Sequence, residues 1–346
     1  MERTNIKTLS RAALAAEMAR LGEPRHRVDQ VIQWIWGKGA GSFEEMTNLP
    51  LAIRHRLDES FLIPRLEISG SVSSPADGSQ KYLFLCRDGA AVESVLMEAR
   101  GRYTVCISSQ VGCALGCAFC RTGTGGFERD LGVDEILDQV LFFKSALVPP
   151  RVRYNVVFMG MGEPFLNMTA LTGALAILND PRAFALREKR ITVSTIGMPD
   201  RIRELAVGPL RFGLAVSLNA VTDEVRRLLM PAAFGIEETL AAAEFFAGER
   251  RVRSTLEYVL IDRVNDSVED ARELARMTRG RPFKINLIPL NEWRGSPLRR
   301  PPEERIERFI AALLPTAPAV TVRRSQGADI DAACGQLRAR SRSTGS

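Results

Sequence analysis

Histidine is nearly missing from this chain, with only His26 and His55 in 346 residues. Both lie far upstream of the cysteine-rich stretch near residue 115, so neither is placed to complete a four-ligand zinc shell with those cysteines. No apolar run approaches the roughly 18 residues of a membrane-spanning helix, so no membrane association is expected. The opening stretch MERTNIKTLSRAALAAEMARLG carries Glu17 and lacks a long apolar centre, which argues against a secretory leader. Cysteines number six. In a chain of this length they serve metal binding or catalysis more often than a disulfide framework, and the expected compartment is a reducing cytoplasm. Charge of one sign is not in large excess: 47 Lys and Arg against 41 Asp and Glu give +6. That is compatible with nucleic acid but weak evidence alone. Apolar content of 45% and charged content of 25% are ordinary globular values and predict a full core, in one large domain plus a small one.

What is present is a concentrated cysteine motif. Cys113, Cys117 and Cys120 stand in CALGCAFC with the spacing C-x3-C-x2-C. Iron–sulfur clusters are held by cysteine thiolates, commonly four of them. A loop that supplies three leaves one iron of a 4Fe-4S cluster open to a small molecule, and S-adenosylmethionine (SAM) is the obvious candidate. The spacing resembles that of the radical SAM enzymes. The competing reading, a zinc site, needs a closed shell of four ligands.

The chain divides by rhythm. Residues 1–60 read as a small helical unit, with helices over 8–21 and 25–36 and a third opened by Pro50. Trp34 and Trp36 are expected to be packing anchors. Arg25, Arg27, Lys38, Arg54 and Arg56 offer a phosphate-facing surface. Residues 61–98 hold alternating runs such as KYLFLC and AAVESVLME, predicting a small antiparallel accessory sheet. From 99 to 330 the pattern becomes strand, loop, helix. Strand-like runs fall at 103–109, 154–160, 190–197, 212–220, 255–262 and 283–291. Amphipathic helices lie between them, over 133–143 and, from a Ser267/Asp270 capping box, 267–279. Six such repeats predict an α/β fold, a partial (β/α)6 barrel, with the helical unit N-terminal to it. Residues 331–346 form a C-terminal segment whose basic tail, 338–346, is expected to be a disordered end.

Reactive groups of such barrels gather at the C-terminal strand ends. The cysteine loop follows the first strand, GMGEP (160–164) the second, Ser194 ends the third, Ser217 with Leu218 and Asn219 the fourth, and Asn291 follows the sixth. Gly162 permits close backbone approach, and the Glu163 carboxylate suits the ammonium of an amino-acid-like cofactor. Ser194, Ser217 and Asn219 can bond its ribose or carboxylate, and Asn291 an adenine edge. Cys86 reads as an idle core thiol. Cys334, in ADIDAACGQL, reads as exposed and reactive.

Taken in order, CISSQVGCALGCAFC, MGMGEPFLN, SLNA, NLIPLN and DIDAACGQL resemble the radical SAM RNA adenine C2-methyltransferases over nearly the whole chain. The resemblance implies that Cys334 takes a methyl group from one SAM and that a second SAM, cleaved at the cluster, yields a 5′-deoxyadenosyl radical. That radical activates the S-methyl carbon for addition to adenine C2. Cys106 then resolves the adduct by forming a disulfide with Cys334, and Glu93 removes the C2 proton, a role for which Cys106 is a rival. It implies 23S ribosomal RNA as substrate, transfer RNA as a second one, an external electron donor such as flavodoxin, and a monomer. Some positions depart from the family pattern: Asn219 stands where His is usual, Arg121 where a small residue is common, Gln326 interrupts a basic run, and NEWRGSP replaces a loop richer in proline and aromatics. A C8-methylating relative shares the same motifs. An iron–sulfur RNA-binding or redox-sensing protein without turnover is the alternative of another class.

Overall fold

The computed structural model describes residues 3–149, 152–323 and 325–337. The basic tail 338–346 lies outside them. A ten-stranded sheet organises the chain, and its strands lie side by side in sequence order: β1 Glu67–Ser73, β2 Gln80–Leu85, β3 Ala91–Ala99, β4 Arg102–Ile107, β5 Tyr154–Phe158, β6 Ile191–Thr195, β7 Gly213–Ser217, β8 Ser254–Leu260, β9 Phe283–Pro289 and β10 Ala319–Val322. The first four pair antiparallel. From β4 onward every pairing is parallel.

The six strand-like runs of the sequence are β4 to β9. A seventh parallel strand, β10, adds to them at the open edge, with Ala319 opposite Lys284 and Val322 opposite Leu287. Residues 67–99 make the antiparallel strands that their alternation predicts, but they do not stand apart as a separate sheet. β3 pairs with β4, Val95 opposite Cys106, and so extends the barrel sheet at its first edge.

Helices cover the outer face because each crossover between parallel strands requires one. Val133–Ala146 buries Ile136, Leu137, Val140, Leu141 and Phe143 along one stripe. Val268–Thr278 starts at Ser267, whose hydroxyl accepts from the Asp270 amide at 3.0 Å while Asp270 reaches back to the Ser267 amide. The main core runs from Ile6 through the sheet to Leu337, and a second, smaller cluster of Leu115, Ile196, Leu229, Met230, Ile261 and Leu290 packs beside Cys113.

The N-terminal unit comprises helices Arg11–Arg20, His26–Ile32 and Leu51–Ser60, the second continuing into a π-helical turn over Gln33–Lys38. Pro50 sits at the cap position of the third helix, one residue before its first turn. Trp36 is buried against Phe184. Trp34 is half-buried, bonded to Asn48, and Lys38 lies over its ring. Arg27 and Arg56 converge on Glu23, so part of the basic surface is internally neutralised. Lys7, fully buried, anchors this unit to the barrel: its ammonium meets Asp138 at 2.5 Å and the Pro64 carbonyl at 2.6 Å. Among the described residues no helix is long and apolar enough to cross a membrane.

Candidate active site

The C-terminal ends of the parallel strands open onto a cavity with about 920 Å³ of empty space including its mouth. Its wall carries all three motif cysteines, Gly162, Glu163, Ser194, Ser217, Asn291 and Cys334.

The cysteine loop leaves β4 and is pinned at several points. The Cys113 amide donates to the Gly126 carbonyl at 2.8 Å and the Ala118 amide to Leu229 at 2.9 Å. Burial raises the Cys113 thiol to about 11 and pushes Cys117 up as well, so loading a metal there must release protons. Among the described residues no three His, Cys, Asp or Glu side chains are grouped around a single ion position. The donor set is three thiols on one loop facing a cavity, and this fits a cluster with one open iron.

The GMGEP turn after β5 is sewn to the strand end beside it. The Met161 amide donates to Ser108 Oγ and the Glu163 amide to Gln110 Oε1, both at 2.8 Å. Gly162 has φ +97°, and a Cβ there would meet the Gln110 side chain at 2.5 Å, so both conformation and space require glycine. The Glu163 carboxylate accepts from the amides of Ile196 at 2.8 Å and Phe165 at 3.0 Å. Burial nevertheless lifts it to about 7. A ligand ammonium brought beside it would favour the ionised form.

Two residues expected at the cofactor are not on the cavity wall. The Leu218 side chain is fully buried in the core, its amide donates to Glu257 and its carbonyl accepts from Arg226. Asn219 adopts φ +59° and turns inward, where its Oδ1 accepts from the Val259 amide at 2.9 Å and its Nδ2 meets Met230 Sδ. The polar group at this position ties β7 to β8. Asn291 is on the wall, but its Nδ2 donates to the Cys334 carbonyl at 3.1 Å. This bond ties the end of β9 to the C-terminal segment.

Cys334 is exposed, yet the surface it exposes faces the interior cavity. Burial there raises its thiol, opposed by the nearby Arg323 guanidinium. The expected exposure of Cys334 is thus observed, on the cavity wall. Cys106 is buried and pushed up to about 12, by burial first and by the neighbouring Cys334 second. Cys106, Cys334, Arg323 and Met159 line a second, small cavity behind the first. Glu93, on β3, is buried with its carboxylate 3.2 Å from the Lys81 ammonium. Cys86 lies in the core with its thiol pushed up to about 12 by burial.

Sequence reasoning missed three cations. Arg226 is fully buried and donates to the carbonyls of Ser217, Leu218, Ile196 and Phe234, holding the ends of β6 and β7 together. Arg323 lines the small cavity together with Cys106 and Cys334, and Lys81 pairs with Glu93. An arginine in DEVRRLL or RR reads as a solvated charge, and only packing distinguishes it.

Comparison with known proteins adds independent findings. Residues 107–275 match the radical SAM superfamily, and residues 4–63 match the ribosomal RNA large subunit methyltransferase N-terminal domain. A dual-specificity RNA methyltransferase RlmN of Geotalea uraniireducens is 44% identical over 98% of this chain and 98% of its own length. One from Campylobacter fetus is 41% identical over 94% of this chain and 96% of its own length. The crystal structure of a radical SAM methyltransferase from Sphaerobacter thermophilus superposes with a TM-score of 0.90 at 41% identity, covering 97% of this chain and 100% of that one. A cluster-type cysteine loop, a glycine-carboxylate turn and a C-terminal cysteine share one cavity in a chain with these full-length likenesses: it belongs to the RlmN family of radical SAM RNA methyltransferases, which use a 4Fe-4S cluster and SAM.

Proposed function

We propose that the protein methylates C2 of an adenine in 23S ribosomal RNA, and in transfer RNA, using Cys334 as the methyl carrier. The observation that carries this reading is the sharing of one cavity by Cys113, Cys117, Cys120, Glu163 and Cys334. Cys113, Cys117 and Cys120 would hold the 4Fe-4S cluster, which when bound would supply the electron that cleaves SAM. Gly162 admits the cofactor close to the backbone, and Glu163 faces its ammonium. Ser194 and Ser217 offer hydroxyls from the same wall.

The chain's own groups do the rest. Cys334, as thiolate, displaces the methyl group of a first SAM and releases S-adenosylhomocysteine. A 5′-deoxyadenosyl radical from a second SAM would take one hydrogen atom from that methyl, and the resulting carbon radical bonds to adenine C2. The adduct then gives up its unpaired electron, which the oxidised cluster would accept, and its C2 proton, which passes to Glu93. The Cys106 thiolate attacks the Cys334 sulfur, an S–S bond forms as the Cys334 sulfur–carbon bond breaks, and the released methylene carbon takes up a proton to become the methyl group. The Cys106–Cys334 disulfide is then reduced by an external donor such as flavodoxin or a thiol. The target base enters unpaired, since C2 is unreachable inside a duplex. The setting is the cytoplasm and the working unit a monomer.

Anaerobic reconstitution tests the cofactor part. Iron, sulfide and 5′-deoxyadenosine formation should all require Cys113, Cys117 and Cys120. Intact-protein mass after SAM treatment should show one methyl group on Cys334. A colourless zinc protein, or an unmodified Cys334, contradicts the proposal.

A further inference from the structure

The C-terminal segment that carries Cys334 touches the cluster loop through Arg121 and Thr122. The Arg121 amide donates to the Gly335 carbonyl at 2.7 Å, and Thr122 Oγ1 to the Leu337 carbonyl at 2.6 Å. The Arg121 guanidinium adds an ion pair with Asp331, Nη1 to Oδ2 at 2.7 Å, and only 18% of the arginine side chain is exposed. From the opposite side the Lys81 ammonium donates to the Asp331 carbonyl at 3.0 Å while also pairing with Glu93 at 3.2 Å. Asp331 is thus gripped on its carboxylate by the residue that follows Cys120 and on its carbonyl by the partner of Glu93. Three residues further on lies Cys334.

We infer that Arg121 and Asp331 form a latch that sets the position of Cys334 relative to the cluster loop and Glu93, and that both are positioning residues for methyl transfer. The inference rests on the proposed role of Cys334. The physical case is geometric. The Asp331–Ala333 turn is held within its own segment by the Ala332 amide on the Gly327 carbonyl at 2.8 Å and the Ala333 amide on Gln336 Oε1 at 3.1 Å. The side-chain pair at Asp331 is what ties this turn to the cluster loop, beside the main-chain bond at Gly335. Asp331 has φ +53°, a conformation that aspartate tolerates better than most residues, so its carboxylate is presented without a compensating distortion elsewhere. Arginine fits the task because its fork is always charged and can bond a carboxylate while its backbone amide serves the same segment. A small residue at 121 would keep the amide contact and lose the ion pair.

The test uses the full-length protein reconstituted with its cluster, comparing wild type with Arg121→Ala, Asp331→Asn and the exchanged pair Arg121→Glu/Asp331→Lys. Asp331→Asn removes the charge but keeps a residue at ease with positive φ. Three quantities are read: iron per chain, the rate of Cys334 alkylation by iodoacetamide without SAM, and kcat and KM for RNA methylation. The latch predicts unchanged iron content and roughly three- to fivefold faster Cys334 alkylation in each single variant. It predicts a similar fall in kcat with KM for RNA unchanged, and recovery of at least half of both effects in the exchanged pair. Raising salt should bring wild-type alkylation toward the variant rate, because a partly exposed pair is screened. Wild-type alkylation rates in both single variants, or no recovery in the exchanged pair, overturn the inference. A wild-type protein that makes no methyladenosine contradicts the proposed function instead, and the alkylation and salt readings still decide the latch.

Discussion

Asn291 Nδ2 donates to the Cys334 carbonyl at 3.1 Å, so the residue following the sixth barrel strand holds the carrier cysteine at the barrel mouth. One hydrogen bond of this kind contributes about 0.5–1.5 kcal/mol. Asn291→Ala is expected to slow Cys334 self-methylation by roughly two- to tenfold at unchanged iron content. Single-turnover mass measurement of methylated Cys334 checks it. An unaltered rate combined with weaker SAM binding would return Asn291 to the cofactor's adenine edge.

Two glycines should respond to alanine in opposite directions. At Gly162 the added Cβ collides with Gln110 in a backbone region foreign to alanine, and a loss of about 1–3 kcal/mol with impaired SAM binding is expected. Gly248 lies inside the helix Ile236–Arg250 with nothing within 4 Å of its would-be Cβ. Gly248→Ala should stabilise the protein by about 0.5–1 kcal/mol. Denaturation midpoints, with SAM binding by calorimetry, separate the two.

Cys106 should titrate late. Its thiol is pushed up to about 12, chiefly by burial. Labelling by a small alkylating reagent should climb about tenfold per pH unit from 7 to 10 with no plateau, whereas an ordinary thiol of pKa about 8.5 levels off. The sign for stability follows. The unfolded chain releases this proton from about pH 8.5 upward while the folded protein keeps it, so the folded state binds more protons and loses stability as pH rises from there toward 12. Peptide mass analysis across the pH series reads the labelling, and a plateau by pH 9 contradicts the burial argument.

The Lys7–Asp138 pair is the test of the anchor between helical unit and barrel. Both side chains are buried, and removing one leaves the other charged and unpaired. Asp138→Ala should cost about 3–5 kcal/mol. Lys7→Met with Asp138→Leu together should cost less than either alone. Thermal or denaturant unfolding of the four proteins gives the coupling directly, and simple additivity contradicts it.

Six parallel strands were legible because each is a short β-branched run bounded by turn residues. β10 was not: AVTV is only four residues long and largely exposed, even though the amphipathic crossover helix Glu303–Leu313 precedes it. Fusion of β3 to β4 was hidden for another reason, since alternation reveals a strand but not which neighbour it pairs with. The cluster loop was legible because thiolate spacing carries its own chemistry. Leu218 and Asn219 misled because strand-end placement says nothing of which way a side chain turns. The left-handed backbone at Asn219 rotates its amide toward β8. Arg226 and Lys81 escaped because a single charge in a helix or strand reads as solvated until its carbonyl or carboxylate partners are in view.

Nucleoside mass spectrometry addresses the central claim most directly. RNA lacking the modification is treated anaerobically with cluster-loaded protein, SAM and reductant, beside a Cys334→Ala control. The account predicts 2-methyladenosine that vanishes in the control. An 8-methyladenosine product would contradict the assignment to C2, and the absence of any methyladenosine from protein that still cleaves SAM would contradict RNA methylation itself.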